Sequence, residues 1–300
     1  MNEHDPASQE PLQSGSLPSR HDGQGASLKP LPSDMGTADV RRQLERIRAG
    51  LLELWGGSLI GIYAHGSLCL GDFAPGRSDL DLLVVTRDAL TAHQCFELMN
   101  KFLDWHRQPS PLEVSVMLAS DLQAWTHPAP HQFHFSEYWR PRFERLAAEQ
   151  DVSFWRHEEV WTDSDLACHV TLTRQSGIAL YGPPPAELFP KVPAEHFWSS
   201  ISGGASELAA IQTHPDGTST VPVYDILTLA RIWSYKELRT IVSKLQAAEW
   251  ALNRLPDGAA DILRLAAEAY RSGRTVLPID RRGQAGQLER LKQYVCERIR

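Results

Sequence analysis

From Thr37 onward the apolar positions fall into a helical rhythm. Val40, Leu44, Ile47, Leu51 and Trp55 recur at spacings of four, three, four and four, which lines them along one face of a helix. Thr37 supplies an N-cap and Gly56-Gly57 a stop. The rhythm then changes. Ser58 to Ala64 is short and rich in β-formers, and it predicts a strand running into a turn at His65-Gly66-Ser67. Leu80 to Thr86 predicts a second strand and Leu112 to Leu118 a third. Between them, residues 88–107 read as a helix with Leu90, Phe96, Met99, Phe102 and Leu103 on or near one face. This order of helix, strand, strand, helix, strand predicts an α/β N-terminal domain with a mixed sheet, placed at residues 37–160.

The second half, residues 161–300, is mostly helical in period. Asp165 to Gly177 is helix-like and is followed by Ile178-Ala179-Leu180-Tyr181 and the break Gly182-Pro183-Pro184-Pro185, which opens a stiff linker near residues 182–193. Tyr224 to Trp233, Ser243 to Leu255, Asp261 to Tyr270 and Gln287 to Ile299 each carry apolar residues three or four apart, so a small α-helical bundle is expected. No internal repeat interrupts this plan.

Composition changes the picture at the N-terminus. Residues 1–36 hold five Pro, four Gly and six Ser but no aromatic residue, Val or Ile, too little apolar surface to offset the entropy of ordering. A disordered leader is expected there. It carries five acidic and two basic groups, so of the chain's net charge of −7 only −4 belongs to residues 37–300. That near balance argues against a dedicated nucleic-acid binder, which shows a basic face, and leaves a cationic small molecule as a comfortable partner. Cys69, Cys95, Cys168 and Cys296 lie far apart with no C-x-x-C pair, so neither a disulfide framework nor a zinc knuckle is suggested and a reducing, cytoplasmic setting fits. No apolar run is long enough for a membrane span, and the first residues lack a basic-then-apolar secretory pattern.

The candidate chemistry lies in Tyr63-Ala64-His65-Gly66-Ser67 and, after eleven residues, Asp79-Leu80-Asp81-Leu82-Leu83-Val84-Val85. Alternate side chains of a strand share a face, so Asp79 and Asp81 point the same way, about 7 Å apart. Two such carboxylates repel unless a cation sits between them, and hard oxygen ligands suit Mg²⁺ shared with substrate phosphates. The Gly66-Ser67 turn lets backbone N–H groups and a hydroxyl approach phosphate. Together they make a metal and nucleoside triphosphate site.

Gly66-Ser67 with Asp79-Leu80-Asp81 resembles the signature of the nucleotidyltransferase superfamily related to DNA polymerase beta. The segments Leu112 to Val116, Gly177 to Pro190, Leu227 to Trp233 and Ala247 to Trp250 are similar to those of aminoglycoside nucleotidyltransferases that adenylylate streptomycin and spectinomycin. The resemblance covers roughly residues 40–300. It implies that Asp79 and Asp81 bind Mg²⁺, that Gly66, Ser67 and Ser78 line the triphosphate of ATP, and that Glu113 is the catalytic base. Glu113 begins a strand that could lie beside Asp79 and Asp81, where a third carboxylate could accept the proton of an attacking hydroxyl. Arg231 and Lys244 match basic residues that the helical domain turns toward the phosphates, and Tyr270 matches an aromatic near the base. Ligands drawn from both domains imply that ATP closes the cleft between them.

The acceptor is where this sequence departs from the family. Counting back from Arg231, the positions that contact streptomycin through acidic and imidazole groups hold Val221 and Tyr224, and Tyr138 stands where the family has Trp. Spectinomycin is therefore favoured over streptomycin, with Glu113, Asp216 and Asp225 as the nearby anions. The expectation is a monomeric aminoglycoside adenylyltransferase acting on an aminoglycoside or aminocyclitol. The alternatives are the same chemistry on a protein or other small molecule, and a non-catalytic nucleotide sensor. His127, His131 and His134 have metal-like spacing but lack carboxylate or Cys partners in a Pro-rich stretch, so structural roles are expected. Trp125, Trp139, Trp155 and Trp161 are expected to fill the domain interface.

Overall fold

The structure, a computed structural model, describes residues 30–156, 160–280 and 282–300. Most of the expected leader therefore lies outside the described residues. Its last part does not behave as a leader. Leu31 and Met35 are buried against the first core, and the Arg41 guanidinium holds the carbonyls of Ser33 and Gly36 at 2.7 Å.

The first half runs α1 (Ala38–Trp55), β1 (Leu59–Ala64), α2 (Gly66–Leu70), β2 (Leu80–Thr86), α3 (Ala92–Trp105), β3 (Leu112–Leu118), α4 (Ala119–Gln123), β4 (Ala129–His131), β5 (Phe133–Phe135) and α5 (Arg140–Glu149). There follow β6 (Trp161–Asp163), α6 (Leu166–Ser176), β7 (Ile178–Tyr181), α7 (Pro185–Leu188) and α8 (Ala194–Ser202). The sheet order is β5-β3-β2-β1-β7. Only β2 and β3 pair in parallel, while β1 with β2, β1 with β7 and β3 with β5 are antiparallel. Thr37 caps α1 through its side chain, and Gly56 ends that helix, as the apolar rhythm predicts.

Strand alternation divides the sheet into two buried faces. Ile62, Leu82, Val84, Val114 and Val116 pack against Leu44, Ile47, Leu98 and Phe102 of α1 and α3. Tyr63, Leu83, Val85 and Met117 pack on the opposite face against Leu166 and Val170 of α6 and against Phe189. Both α6 and β7 thus complete the sheet domain, although the sequence placed them in the helical half beginning at 161. Nothing in their local periodicity records which sheet they join.

The rest runs β8 (Gln212–Thr213), β9 (Ser219–Pro222), α9 (Val223–Leu238), α10 (Lys244–Leu252), α11 (Ala259–Arg271), β10 (Val276–Pro278) and α12 (Gln284–Ile299). Ile226, Ala230 and Trp233 of α9 sit in a second core with Ala247, Ile262, Leu263, Leu291 and Val295. Ser243 and Gln246 form a capping box on α10.

The tryptophans depart from expectation. Trp139, Trp155 and Trp161 belong to the sheet domain's own aromatic cluster, with Phe154 at 5.1 Å from Trp155 and 5.2 Å from Trp161. Trp125 alone of the four reaches α8, donating to His196 Nδ1 at 3.2 Å. His127 stacks on His196 and His134 bonds Ser115, structural contacts both. Among the described residues no helix is long and apolar enough to cross a membrane.

Candidate active site

The parallel register of β2 and β3 sets Leu80 beside Leu112 and Asp81 beside Glu113. Side chains at 79, 81 and 113 share a face with Leu83, Val85 and Met117, the face that α6 covers. They stand at the strand ends where that cover stops and a cleft of ≈ 330 Å³ opens. Burial, then Glu113, then Asp79 drive the Asp81 carboxyl well above its ordinary range, while Lys244 and the Ser67 N–H pull the other way. Burial and then Glu113 push Asp79 up to about 6. A pair of carboxyls that resist ionisation is the environment that a divalent cation relieves.

Among the described residues no three His, Cys, Asp or Glu side chains close round a point to enclose an ion by themselves. Asp79 and Asp81 instead form an open pair beside Glu113. That donor chemistry fits Mg²⁺, which keeps few protein ligands and takes the remainder from water and phosphate.

On the same wall, β1 ends at the turn that carries His65, Gly66 and Ser67. The His65 backbone N–H donates to the Asp81 carbonyl at 3.0 Å. Gly66 has φ +64°, and a Cβ there would overlap the Asp81 carboxylate, so only glycine fits this close approach. Ser78 folds the neighbouring loop by accepting from the Ala74 N–H at 3.0 Å.

The facing wall comes from the helical half. Arg231 of α9, Lys244 of α10 and Tyr270 of α11 line the same cleft. Lys244 Nζ lies 4.2 Å from the Tyr224 ring centroid and 6.0 Å from that of Tyr270. Burial and then Arg231 pull its pKa down to about 8, against the opposing pull of Asp81, Asp72 and Asp79. The Leu245 N–H donates to Asp72 Oδ2 at 2.9 Å and so ties the walls together.

All nine residues singled out in the sequence, Gly66, Ser67, Ser78, Asp79, Asp81, Glu113, Arg231, Lys244 and Tyr270, therefore line one cleft. The expected acceptor anions do not all arrive. Asp216 binds Thr218 within an exposed turn, and Asp225 accepts from the Ala209 N–H at 3.0 Å. Val221 is fully buried in the helical core, and Tyr138 lies on the surface with 86% exposure. Tyr224 does reach the cleft.

The structure adds Arg77, Arg274, Asp165, His65 and His169 to the lining. His65 is buried, its Nδ1 lacks a partner, and its ring centre is 5.1 Å from that of His169. Burial and then His169 hold His65 well below its ordinary pKa, as the neutral ring. Asp165 and His169 are four apart on α6, a spacing that places them on one helical face and could have marked them as a pair.

Comparison with known proteins gives concordant matches. The nucleotidyltransferase domain family matches residues 44–128, and the C-terminal domain of aminoglycoside adenylyltransferases matches residues 187–298. An aminoglycoside (3'') (9) adenylyltransferase of Shigella flexneri is 28% identical over 86% of this chain and 94% of its own length. A spectinomycin 9-adenylyltransferase of Staphylococcus aureus is 30% identical over 73% of this chain and 80% of its own. Among solved structures, a spectinomycin adenyltransferase from Enterococcus faecialis with ATP and spectinomycin superposes with a TM-score of 0.69 at 21% identity, covering 86% of this chain and 98% of that one.

Proposed function

Since the chain belongs to the aminoglycoside adenylyltransferase family, we propose that it transfers AMP from ATP to a hydroxyl of an aminocyclitol antibiotic, spectinomycin in preference to streptomycin, releasing diphosphate. One observation carries this reading: Asp79, Asp81 and Glu113 on the sheet wall face Arg231 and Lys244 on the helical wall of a single cleft.

In this reading the triphosphate lies along Gly66, Ser67 and Ser78, with Arg231 and Lys244 opposite and Tyr270 beside the base. Asp79 and Asp81 would hold Mg²⁺, which would supply charge neutralisation for the departing diphosphate. Glu113 accepts the proton of the acceptor hydroxyl as its oxygen bonds to the α-phosphorus and the bond to diphosphate breaks. A positioned carboxylate base of this kind contributes roughly 10²–10⁴ in rate. Arg231 and Lys244 offset the negative charge of the transferring group from the facing wall.

The preference for spectinomycin rests on what replaces the expected drug contacts. Val221 is in the helical core and Tyr224 carries the Lys244 ammonium over its ring, so neither offers an anion. With Asp216 and Asp225 engaged elsewhere, the carboxylates facing the cleft beyond the metal pair are Glu113 and Asp165. An acceptor that needs fewer ionic contacts suits that wall, and relatives in Staphylococcus aureus and Enterococcus faecialis are named for spectinomycin.

The test is purified protein with Mg²⁺, ATP and a panel of spectinomycin, streptomycin and other aminoglycosides. Diphosphate release and a mass gain of one AMP on spectinomycin are expected. ATP binding without diphosphate release for any member of the panel would leave a non-catalytic nucleotide sensor as the better account.

A further inference from the structure

The cleft carries a cation that neither the sequence pattern nor the resemblance singles out. Arg77, on the loop between α2 and β2, lines it beside Ser78. The residue is exposed, and among the described residues its guanidinium makes no hydrogen bond or ion pair. Yet it does not trail into solvent. A Cβ on Gly273 would overlap the Arg77 guanidinium at Nη1 and Cζ, so the group crosses from the sheet domain and lies on the backbone of the helical one.

The helical half is shaped for that contact. Gly273, just past the end of α11, has φ +82°; its N–H donates to the Tyr270 carbonyl at 3.0 Å and the next N–H, of Arg274, to the Ala269 carbonyl at 2.8 Å. Any other residue would be strained in this left-handed turn and would also displace Arg77. The surroundings are cationic. Lys244 Nζ lies 6.0 Å from the Tyr270 ring centroid, and Arg274 lines the same cleft. Burial and then Asp72 raise the pKa of the Tyr270 phenol, while Arg231 and Arg77 are both close enough to pull it down. Asp72 itself is engaged by the Leu245 N–H. Basic groups gathered in this way repel one another, and a polyanion between them removes that cost.

We propose that Arg77, seated on Gly273, binds the β- and γ-phosphates of ATP and keeps hold of the diphosphate that they become. The proposal rests on the transfer reading above for the identity of the leaving group. Glu113 meets the acceptor hydroxyl, and in-line displacement sets the leaving group on the opposite side of the α-phosphorus. The polyphosphate then runs from the carboxylates toward Ser78 and Arg77. When the bond from the α-phosphorus to the bridging oxygen breaks, that oxygen keeps the electron pair, and a planar guanidinium can meet the added charge with two N–H donors.

The test uses the full chain with Mg²⁺ and no acceptor, titrated calorimetrically with ATP and, separately, with diphosphate. Arg77→Ala should weaken both by the same factor, about tenfold or more, and Arg77→Lys by less. Gly273→Ala should weaken both through the displaced guanidinium, and the double variant should bind no more weakly than Arg77→Ala alone. Should Gly273→Ala fold poorly, the two variants at the exposed Arg77 decide by themselves. Diphosphate affinity in Arg77→Ala within about twofold of wild type, a loss confined to ATP, or a Gly273→Ala effect that adds in full to that of Arg77→Ala overturns the proposal. A wild type that binds diphosphate through Arg77 yet adenylylates no member of the antibiotic panel refutes the transfer and leaves this contact standing.

Discussion

Replacing Glu113 with Gln keeps the side chain's shape and removes one charge, and the two consequences have opposite signs. Glu113 sits beside Asp81 in the β2–β3 register. Two unit charges roughly 5 Å apart, the spacing of neighbouring strands, repel by about 3 kcal/mol at an effective dielectric near 20. The cleft admits solvent, which screens the pair and leaves about 1–2 kcal/mol. Metal-free Glu113→Gln protein should therefore be more stable than wild type, with Tm higher by about 3–5 °C. Asp79 fixes the pH range, because burial and then Glu113 push it up to about 6. A carboxyl raised in the folded state favours folding while protonated and loses that favour as pH rises through its folded pKa. The Asp79 share of the repulsion relieved by the substitution is thus larger at pH 8 than at pH 5. Thermal unfolding in EDTA at both pH values reads the first effect. Diphosphate release reads the second, a loss of roughly 10²–10⁴ in turnover with ATP still bound. A variant no more stable than wild type at pH 8, or one within tenfold of wild-type turnover, would refute the reasoning.

Other substitutions probe the walls separately. Gly66→Ala places a Cβ on the Asp81 carboxylate at a backbone φ of +64°; a stability loss of at least about 1–2 kcal/mol by denaturant unfolding and loss of ATP binding are expected, and unimpaired ATP binding would contradict the close approach. Lys244, pulled down to about 8 by burial and then Arg231, loses charge as pH rises through that value, so ATP affinity should fall between pH 7 and pH 9. Lys244→Arg should flatten the dependence, and calorimetry showing the same slope in both proteins would assign it elsewhere. Asp72→Ala removes the acceptor that bridges to the α10 N–H of Leu245; a cost of about 1 kcal/mol is expected, with a looser scattering profile that Mg²⁺ and ATP compact more than they do the wild type. Identical profiles in all states would end the idea that ATP closes the cleft.

The legible parts of the fold were those whose signals are local. Leu80 to Thr86 is apolar on both faces, and the only break in it, Asp81, is conspicuous because a charge inside such a strand needs a reason. Asp79, Asp81 and Glu113 could therefore be read as neighbours before the register was known. Less legible were β4, β5 and β6, three residues each, too short to show a period. The same holds for Trp139, Trp155 and Trp161, whose place in the sheet domain's cluster depends on Phe143 and Phe154 being folded against them. The acceptor side failed for a tertiary reason as well. Asp216 is near the drug positions in sequence, but the hairpin of β8 and β9 turns it outward to Thr218. Conversely, Asp165 and His169 reach the cleft because α6 covers the sheet, a packing that no window of sequence records.

The charge of the folded part also changes meaning once it is placed. Asp79, Asp81, Glu113 and Asp165 line the cleft together with Arg77, Arg231, Lys244 and Arg274, so four acidic groups meet four basic ones and the site has little long-range attraction for a cationic antibiotic. Nucleotide alters that balance, because ATP brings more negative charge than one divalent ion cancels and leaves the loaded cleft net negative by about two charges. Attraction for the acceptor then exists only in the loaded state, which makes ATP the first substrate to bind. Titration calorimetry should give weak or no spectinomycin binding to the free protein and tighter binding once Mg²⁺ and a non-transferable ATP analogue are present, with the gain shrinking as salt screens the cleft. Equal spectinomycin affinity with and without nucleotide would mean that the acceptor is held independently of the field that the nucleotide creates.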